Sequence, residues 1–126
     1  MEKFIESLPK TETHLHIEGA IPWKLFEDRF PGEFPEVPEF RQPSYRYDSF
    51  AQFESTLIDH ALRIIKEPSD YSEIARRIFQ KHLEQNVHYV ELSFHAGMIE
   101  FLQISGQDII EAVSYTHLTL PTTPYV

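Results

Sequence analysis

Residues 8–20, LPKTETHLHIEGA, decide the fold of this chain. Side chains two residues apart lie on the same face of an extended strand. A strand over residues 11–18 would therefore carry four ionisable side chains on one face, Glu12, His14, His16 and Glu18. Because such side chains are unsuited to an apolar core, we expect this face to line a polar cavity that holds a ligand.

His14 and His16 are the candidate metal ligands in this strand. Two imidazoles at this spacing can reach a single cation, and neutral imidazole is a good zinc ligand. The alternative is that both rings are solvated or satisfied by hydrogen bonds. The spacing by itself leaves both interpretations open.

Length and composition exclude several classes of protein. The chain has 126 residues, 41% hydrophobic and 25% charged, which is typical of one globular unit. We expect no signal peptide and no membrane span, which needs ~18 consecutive apolar residues. The absence of cysteine excludes a disulfide framework and fits a cytoplasmic location. A formal net charge of −9 disfavours nucleic acid as a partner, and nothing in the sequence indicates the oligomeric state.

The first long helix is predicted by a capping box formed by Ser49 and Gln52, and it extends over residues 50–66. Its apolar stripe begins with three large side chains, Phe50, Phe53 and Leu57. A stripe at this spacing usually faces a core.

The next helix is predicted to begin at a cap formed by Asp70 and Glu73 and to end near Asn86. Residues 87–94, VHYVELSF, then predict a second strand. The order of strand, helices and strand is typical of a parallel sheet. His95 follows this strand and could reach a ligand, but a lone histidine there is more often a hydrogen-bonding residue of a turn.

The string LPKTETHLHIEGA resembles the opening of the adenosine deaminase family, within the amidohydrolase superfamily. In that family a Pro-Lys-x-Glu-x-His-x-His-(Leu/Ile)-(Asp/Glu)-Gly run forms the first strand of a (β/α)8 barrel. The run V-x-Y-V-E-L-x-F within residues 87–94 looks like the second strand of the family. The resemblance implies an α/β fold, an incomplete (β/α)8 TIM-type barrel with its first two strands and their helices. A complete barrel takes about 250 residues, so residues 1–113 are expected to be its amino-terminal portion.

The resemblance also implies a chemistry for the intact parent protein, the zinc-dependent deamination of adenosine, a purine nucleoside, to inosine and ammonia. Zn²⁺ would be held by His14 and His16, together with a later histidine and an aspartate. The implied substrate contacts are Glu18 to the ribose, Gly19 beside the purine, and the apolar side chains Phe50, Phe53 and Leu57. No later His-Ala-Gly-Glu motif or aspartate pair is found in the chain, so no catalytic residue is assigned and the 126-residue chain alone is expected to be inactive.

The exact substrate is left open by two departures from the family pattern. Many members carry an arginine at the position of Ser93 and Ser-Pro at His95-Ala96. The alternatives are therefore another amidohydrolase, such as an adenine or aminodeoxyfutalosine deaminase, and a non-catalytic βα module.

The composition changes after a predicted short helix over residues 106–113. Residues 114–126, SYTHLTLPTTPYV, contain no Asp, Glu, Lys or Arg. They resemble a tail that recurs at the ends of conceptual translations where sequencing adapter has been read through. We expect this tail to be non-native; the native alternative is a third strand.

Overall fold

The computed structural model describes residues 1–119, in which two strands pair in parallel, β1 (Lys10–His16) and β2 (Val87–Ser93). Six α-helices are described in this range: α1 (Glu2–Ser7), α2 (Trp23–Arg29), α3 (Phe50–Ile64), α4 (Pro68–Glu84), α5 (Ala96–Phe101) and α6 (Gly106–Thr119). Short 3₁₀ helices lie at Ile17–Ala20 and Glu39–Arg41. None of the helices in the described range is long and apolar enough to span a bilayer.

One side of the two-stranded sheet carries the hydrophobic core. Alternate residues of β2 and its exit, Val90, Leu92 and Phe94, are partly buried and pack against that core. The core itself is built largely by α2, α3 and α4, with Leu25, Ile64 and Ile74 at most 1% exposed. The opposite face of the strands is left for polar side chains, as the alternation of the sequence predicts.

The start of α4 differs from the prediction. The helix begins at Pro68, and Asp70 caps it from the third position by accepting hydrogen bonds from the backbone N–H groups of Lys66 at 2.8 Å and Glu67 at 3.0 Å. Asp70 also accepts from Arg29 at 2.7 Å, which ties α2 to the start of α4. A proline suits the first turn of a helix because its missing N–H is not needed there, so α4 can begin at Pro68 rather than after it.

The end of β1 also differs from the prediction. The strand stops at His16 rather than at residue 18, and the backbone turns into the 3₁₀ helix Ile17–Ala20. Ile17 is only 2% exposed in the core, and the chain must turn here to enter α2. Glu18 therefore leaves the regular alternation of the strand, and its side chain is directed by tertiary contacts instead.

The last helix is longer than predicted, since α6 continues to Thr119 rather than ending at residue 113. Residues 114–119 are helical, so the strand alternative for the tail is wrong over this range. Thr116 is 3% exposed and its hydroxyl hydrogen-bonds with Ser72 of α4. Residues 120–126 of the tail lie outside the described residues, and the expectation that the tail is non-native stays a prediction.

Candidate active site

The two histidines of β1 lie side by side at the carboxyl end of the strand. The Nε2 atoms of His14 and His16 are 2.9 Å apart, and the ring centroids are 4.9 Å apart. Nδ1 of His16 lies 3.3 Å from Oγ of Ser93 at the end of β2. Metal-binding histidines commonly use one ring nitrogen for the metal and the other for such a partner. This arrangement leaves both Nε2 atoms directed to one point.

The fit of this pair to a zinc ion can be tested against coordination geometry. Two nitrogens of a tetrahedral zinc site, each ~2.0–2.1 Å from the metal, are about 3.3 Å apart. The observed 2.9 Å is close to that separation, so the two rings can share one ion after a small movement. Among the side chains that the structure describes, those of residues 1–116, no group of three or more His, Asp or Glu is placed to hold a metal. A catalytic zinc site uses at least three protein ligands, and the pair supplies two.

Glu18 is held by contacts from two other elements. Its Oε1 accepts a hydrogen bond from the Tyr71 hydroxyl at 2.8 Å and from the backbone N–H of His95 at 2.7 Å. Its Oε2 is buried and has no hydrogen-bond partner among the described residues. Burial, and then the neighbouring Glu18 carboxylate, raise the pKa of Tyr71, so the phenol keeps its proton and remains a donor. One carboxylate oxygen is thus fixed, while the other is a buried acceptor without a donor among the described residues, which is costly unless a further group satisfies it.

These groups border a cavity of about 530 Å³. The structure brings six of the seven predicted site residues to its wall: His16, Glu18, Gly19, Phe50, Phe53 and Leu57. His14 is not on the wall and meets it through His16. Small-molecule sites usually measure about 300–1,000 Å³, so the cavity is of ordinary size for a ligand.

Two aromatic side chains at the start of α3 are exposed because they lie on the cavity wall. Phe50 is 74% exposed and Phe53 is 37% exposed, although both belong to the apolar stripe of the helix. Their rings lie 5.9 Å apart. The buried part of the stripe is its later half, where Ala61 and Ile64 are each 1% exposed. The stripe is therefore divided, with its end in the core and its beginning beside the cavity.

Gly19 is not required by packing within the chain. A Cβ atom at this position would lie 3.8 Å from Cδ1 of Leu57, which is ordinary van der Waals contact. The side that the glycine leaves open borders the cavity. Packing among the described residues therefore does not by itself require a glycine at this position.

Sequence reasoning assigned no site role to Tyr71, Glu54, His95 or Met98, of which the last three line the cavity. Tyr71 belongs to the apolar stripe of α4, a pattern that indicates a core residue and not a site residue, and its partner Glu18 is 53 residues away in sequence. His95 is a hydrogen-bonding turn residue, because its Nδ1 accepts from the backbone N–H of Met98 at 3.0 Å at the start of α5. The short helix α5 was not predicted, and histidine is an uncommon residue at a helix cap.

Comparison with known proteins identifies the family. The family model described as adenosine deaminase matches residues 9–117. The chain belongs to the adenosine deaminase family. Among curated relatives in or near this family, it is 26% identical over 118 residues to an uncharacterised deaminase of Schizosaccharomyces pombe. It is 29% identical over 119 residues to the adenine deaminase of Wolinella succinogenes. Both alignments cover 90% of this chain but only 34% and 35% of the relatives, so the chain spans about a third of their length.

Solved structures confirm the fold expected of this adenosine deaminase family chain. Arabidopsis ADAL complexed with IMP is similar with a TM-score of 0.64 and 22% identity, over 94% of this chain and 36% of that one. The apo N6-methyl-AMP deaminase of Arabidopsis thaliana gives a TM-score of 0.62 and 21% identity, over 96% and 36%. At this identity the likeness shows the fold alone. The described residues form part of a TIM-type (β/α)8 barrel, with two parallel strands and their helices.

Proposed function

We propose that this chain supplies the first part of the active site of a zinc-dependent deaminase, which hydrolyses adenosine to inosine and ammonia. The observation that carries the proposal is the convergence of the His14 and His16 Nε2 atoms, 2.9 Å apart, beside a cavity of about 530 Å³. Membership of a family whose relatives are named deaminases supports the reaction type.

The residues of β1 would hold the metal and orient its chemistry. His14 and His16 would supply two ligands through Nε2, and Ser93 beside Nδ1 of His16 would fix the orientation of that ring. Zinc, when bound, supplies a water-derived nucleophile near neutral pH. The remaining ligands and the proton-transfer group belong, on this proposal, to parts of the barrel other than residues 1–119.

The cavity wall would bind the purine nucleoside. Phe50, Phe53 and Leu57 offer an apolar surface that can cover the purine and exclude water. Gly19 leaves room for close approach of the ring to the backbone. The free Oε2 of Glu18 would accept a hydrogen bond from a ribose hydroxyl, which satisfies a buried acceptor that has no partner in the described part of the chain.

Adenine is the second candidate substrate. The relatives that support it include adenine deaminases of Wolinella succinogenes and Zymomonas mobilis, which are 29% and 31% identical to this chain. A free base would leave the ribose side of the cavity empty, so the two candidates predict different contributions from Glu18.

The proposal is tested with the full-length gene product that carries this chain. The purified protein is analysed for metal and then assayed with adenosine, adenine, AMP and N6-methyl-AMP by ammonia release and ultraviolet absorbance. We expect bound zinc, loss of activity with a chelator, and the highest kcat/KM for adenosine. Equal or greater kcat/KM for adenine would favour the second candidate, and absence of both zinc and turnover would reject a zinc deaminase.

The 126-residue chain alone serves as a control, since it offers two of the ligands that a catalytic zinc site needs. We expect no turnover from it with zinc supplied.

The acidic net charge of −9 and the absence of cysteine support a cytoplasmic protein that acts on a small molecule and binds neither nucleic acid nor a membrane.

A further inference from the structure

His95 lies at the exit of β2, on the wall of the same cavity as Glu18. Its two polar ends are used differently. The backbone N–H donates to Oε1 of Glu18 at 2.7 Å, and ring Nδ1 accepts from the backbone N–H of Met98 at 3.0 Å. The other ring nitrogen, Nε2, has no hydrogen-bond partner among the described residues. The hydrogen bonds of His95 are made by its backbone groups and by Nδ1.

The contact with Met98 fixes the tautomer of the ring. A backbone amide is always a donor, so a proton on Nδ1 of His95 would point at the N–H hydrogen of Met98. The neutral imidazole must then carry its proton on Nε2. The ring therefore offers a hydrogen-bond donor, rather than an acceptor, at its free end.

The position of the ring is fixed by a glycine. A Cβ atom at Gly97 would lie 3.1 Å from Cε1 of His95 and 3.5 Å from Nδ1, so the ring occupies space that a side chain at position 97 would need. A larger residue at position 97 would push the imidazole away. Gly97 thus holds space for a ring whose Nδ1 caps α5 and whose Nε2 is left unused by the chain.

We infer that Nε2–H of His95 is a substrate-binding donor, which acts with the free Oε2 of Glu18 to recognise a sugar hydroxyl of the ligand. A hydroxyl group both donates and accepts, so it can satisfy the Glu18 carboxylate and accept from His95 at once. A phosphate only accepts at neutral pH and would be repelled by the carboxylate. The inference deepens the proposed function and rests on it, because it concerns the ribose side of the same cavity.

The test is the His95→Asn variant of the full-length protein. The side-chain oxygen of asparagine can take the place of Nδ1 and cap α5, since asparagine is among the preferred capping residues. The variant removes the outer part of the ring with its Nε2–H, and the shorter amide group, although itself a donor, does not extend to the position of Nε2. We expect an unchanged thermal midpoint, a KM for adenosine raised about three- to tenfold with kcat little changed, and no change in kcat/KM for adenine.

Three readouts separate this role from a structural one. Deoxyadenosines lacking one sugar hydroxyl identify the group, and the penalty of His95→Asn should vanish for one of them. AMP reports a phosphate contact, and a loss confined to AMP would overturn the assignment to a hydroxyl. Nitrogen NMR of ¹⁵N-histidine-labelled protein, with His95 identified by its loss in the variant, should show an unprotonated Nδ1; a protonated Nδ1 would overturn the inference.

The failure of this inference is distinguishable from that of the proposed function. If the wild type is active and His95→Asn has the same KM for adenosine, only the role of His95 is wrong. If the wild type turns over adenine but not adenosine, the sugar contact is wrong while deamination stands. If the wild type turns over no purine, both fall together.

Discussion

The exits of β1 and β2 lie next to each other, and both bring a histidine to the same cavity. They use the imidazole in different ways. At the exit of β1, the Nε2 atoms of His16 and His14 lie 2.9 Å apart, so two side chains meet there. At the exit of β2, Nδ1 of His95 is occupied by the N–H of Met98, and the ring is fixed as a cap of α5. On the two proposals made above, the partner at Nδ1 decides the role of Nε2: Ser93 beside Nδ1 of His16 leaves Nε2 for a metal, and the Met98 N–H at Nδ1 of His95 leaves Nε2–H as a donor.

The largest expected effect breaks the metal side of this comparison. His16→Ala in the full-length protein removes one of the two converging nitrogens. We expect loss of bound zinc and a fall in kcat of more than about 100-fold, because even partners that only orient a ligand contribute 10- to 100-fold. Metal analysis of the purified variant and steady-state kinetics are the measurements.

The matched control is His88→Asn. His88 is an exposed histidine of β2 whose Nε2 lies 2.6 Å from Oδ1 of Asn86, away from the cavity wall. Its replacement should leave zinc content and kcat unchanged. Retention of zinc by His16→Ala would show that the histidine at the exit of β1 is not a metal ligand.

The features of this site that local sequence pattern predicts are those set by neighbouring residues. The alternation in β1 brings His14 and His16 together, and the cap at Ser49 places α3, whose backbone N–H at Gln52 donates to the Ser49 hydroxyl at 3.1 Å. The parallel pairing of β1 with β2 follows from the order of elements in the chain. Each depends on spacings of two to four residues or on the order of whole elements, which a sequence displays directly.

The features that could not be predicted depend on contacts between distant residues. Glu18 leaves the strand face because Ile17 is buried, and it meets Tyr71 from 53 positions away. The cap of α5 by His95 uses a residue that capping preferences do not indicate. The free Oε2 of Glu18 and the free Nε2 of His95 become visible only when the partners of the other atoms are known. The family resemblance predicts Glu18 as a substrate contact, but only the structure shows that Tyr71 and the backbone N–H of His95 hold its side chain.

A smaller effect is expected at Glu18, whose carboxylate joins the end of β1 to the backbone N–H of His95 at the exit of β2. Tyr71→Phe removes the hydroxyl that donates to Oε1 of Glu18 and leaves only the N–H of His95 on that oxygen. Tyr71 is fully buried, so we expect a loss of about 1–3 kcal/mol in the free energy of unfolding. We also expect KM for adenosine to rise about tenfold, because the carboxylate is no longer held. Urea denaturation and steady-state kinetics measure the two effects.

Tyr89→Phe is the control for this chemistry. Tyr89 donates to Oε1 of Glu91 at 2.7 Å, which is the same kind of bond, but on the exposed face of β2. Tyr89 is 52% exposed among the described residues and is not on the cavity wall, so we expect no change in the free energy of unfolding of the 126-residue chain or in the KM of the full-length protein. Equal effects of the two substitutions would show that burial of the Glu18 contact is unimportant.

The smallest expected effect concerns the glycine under the His95 ring. Gly97→Ala places a Cβ atom 3.1 Å from Cε1 of His95, a contact that the ring must relieve by moving a few tenths of an ångström. Alanine in α5 also stabilises the helix, by about 0.5–1 kcal/mol relative to glycine. Stability and activity should therefore move in opposite directions, with an unchanged or higher thermal midpoint and a KM for adenosine raised about two- to fivefold.

Gly106→Ala is the matched control, since its added Cβ would meet Phe94 and Ile99 only at ordinary distances of 3.5 Å and more. It should leave KM unchanged. In the double variant with His95→Asn, Gly97→Ala should add no further loss, because substitutions that act through one contact are not additive. A full additional loss would mean that Gly97 acts on the cavity by a route other than the ring of His95, and the β2 exit would then lose its role as a positioned donor.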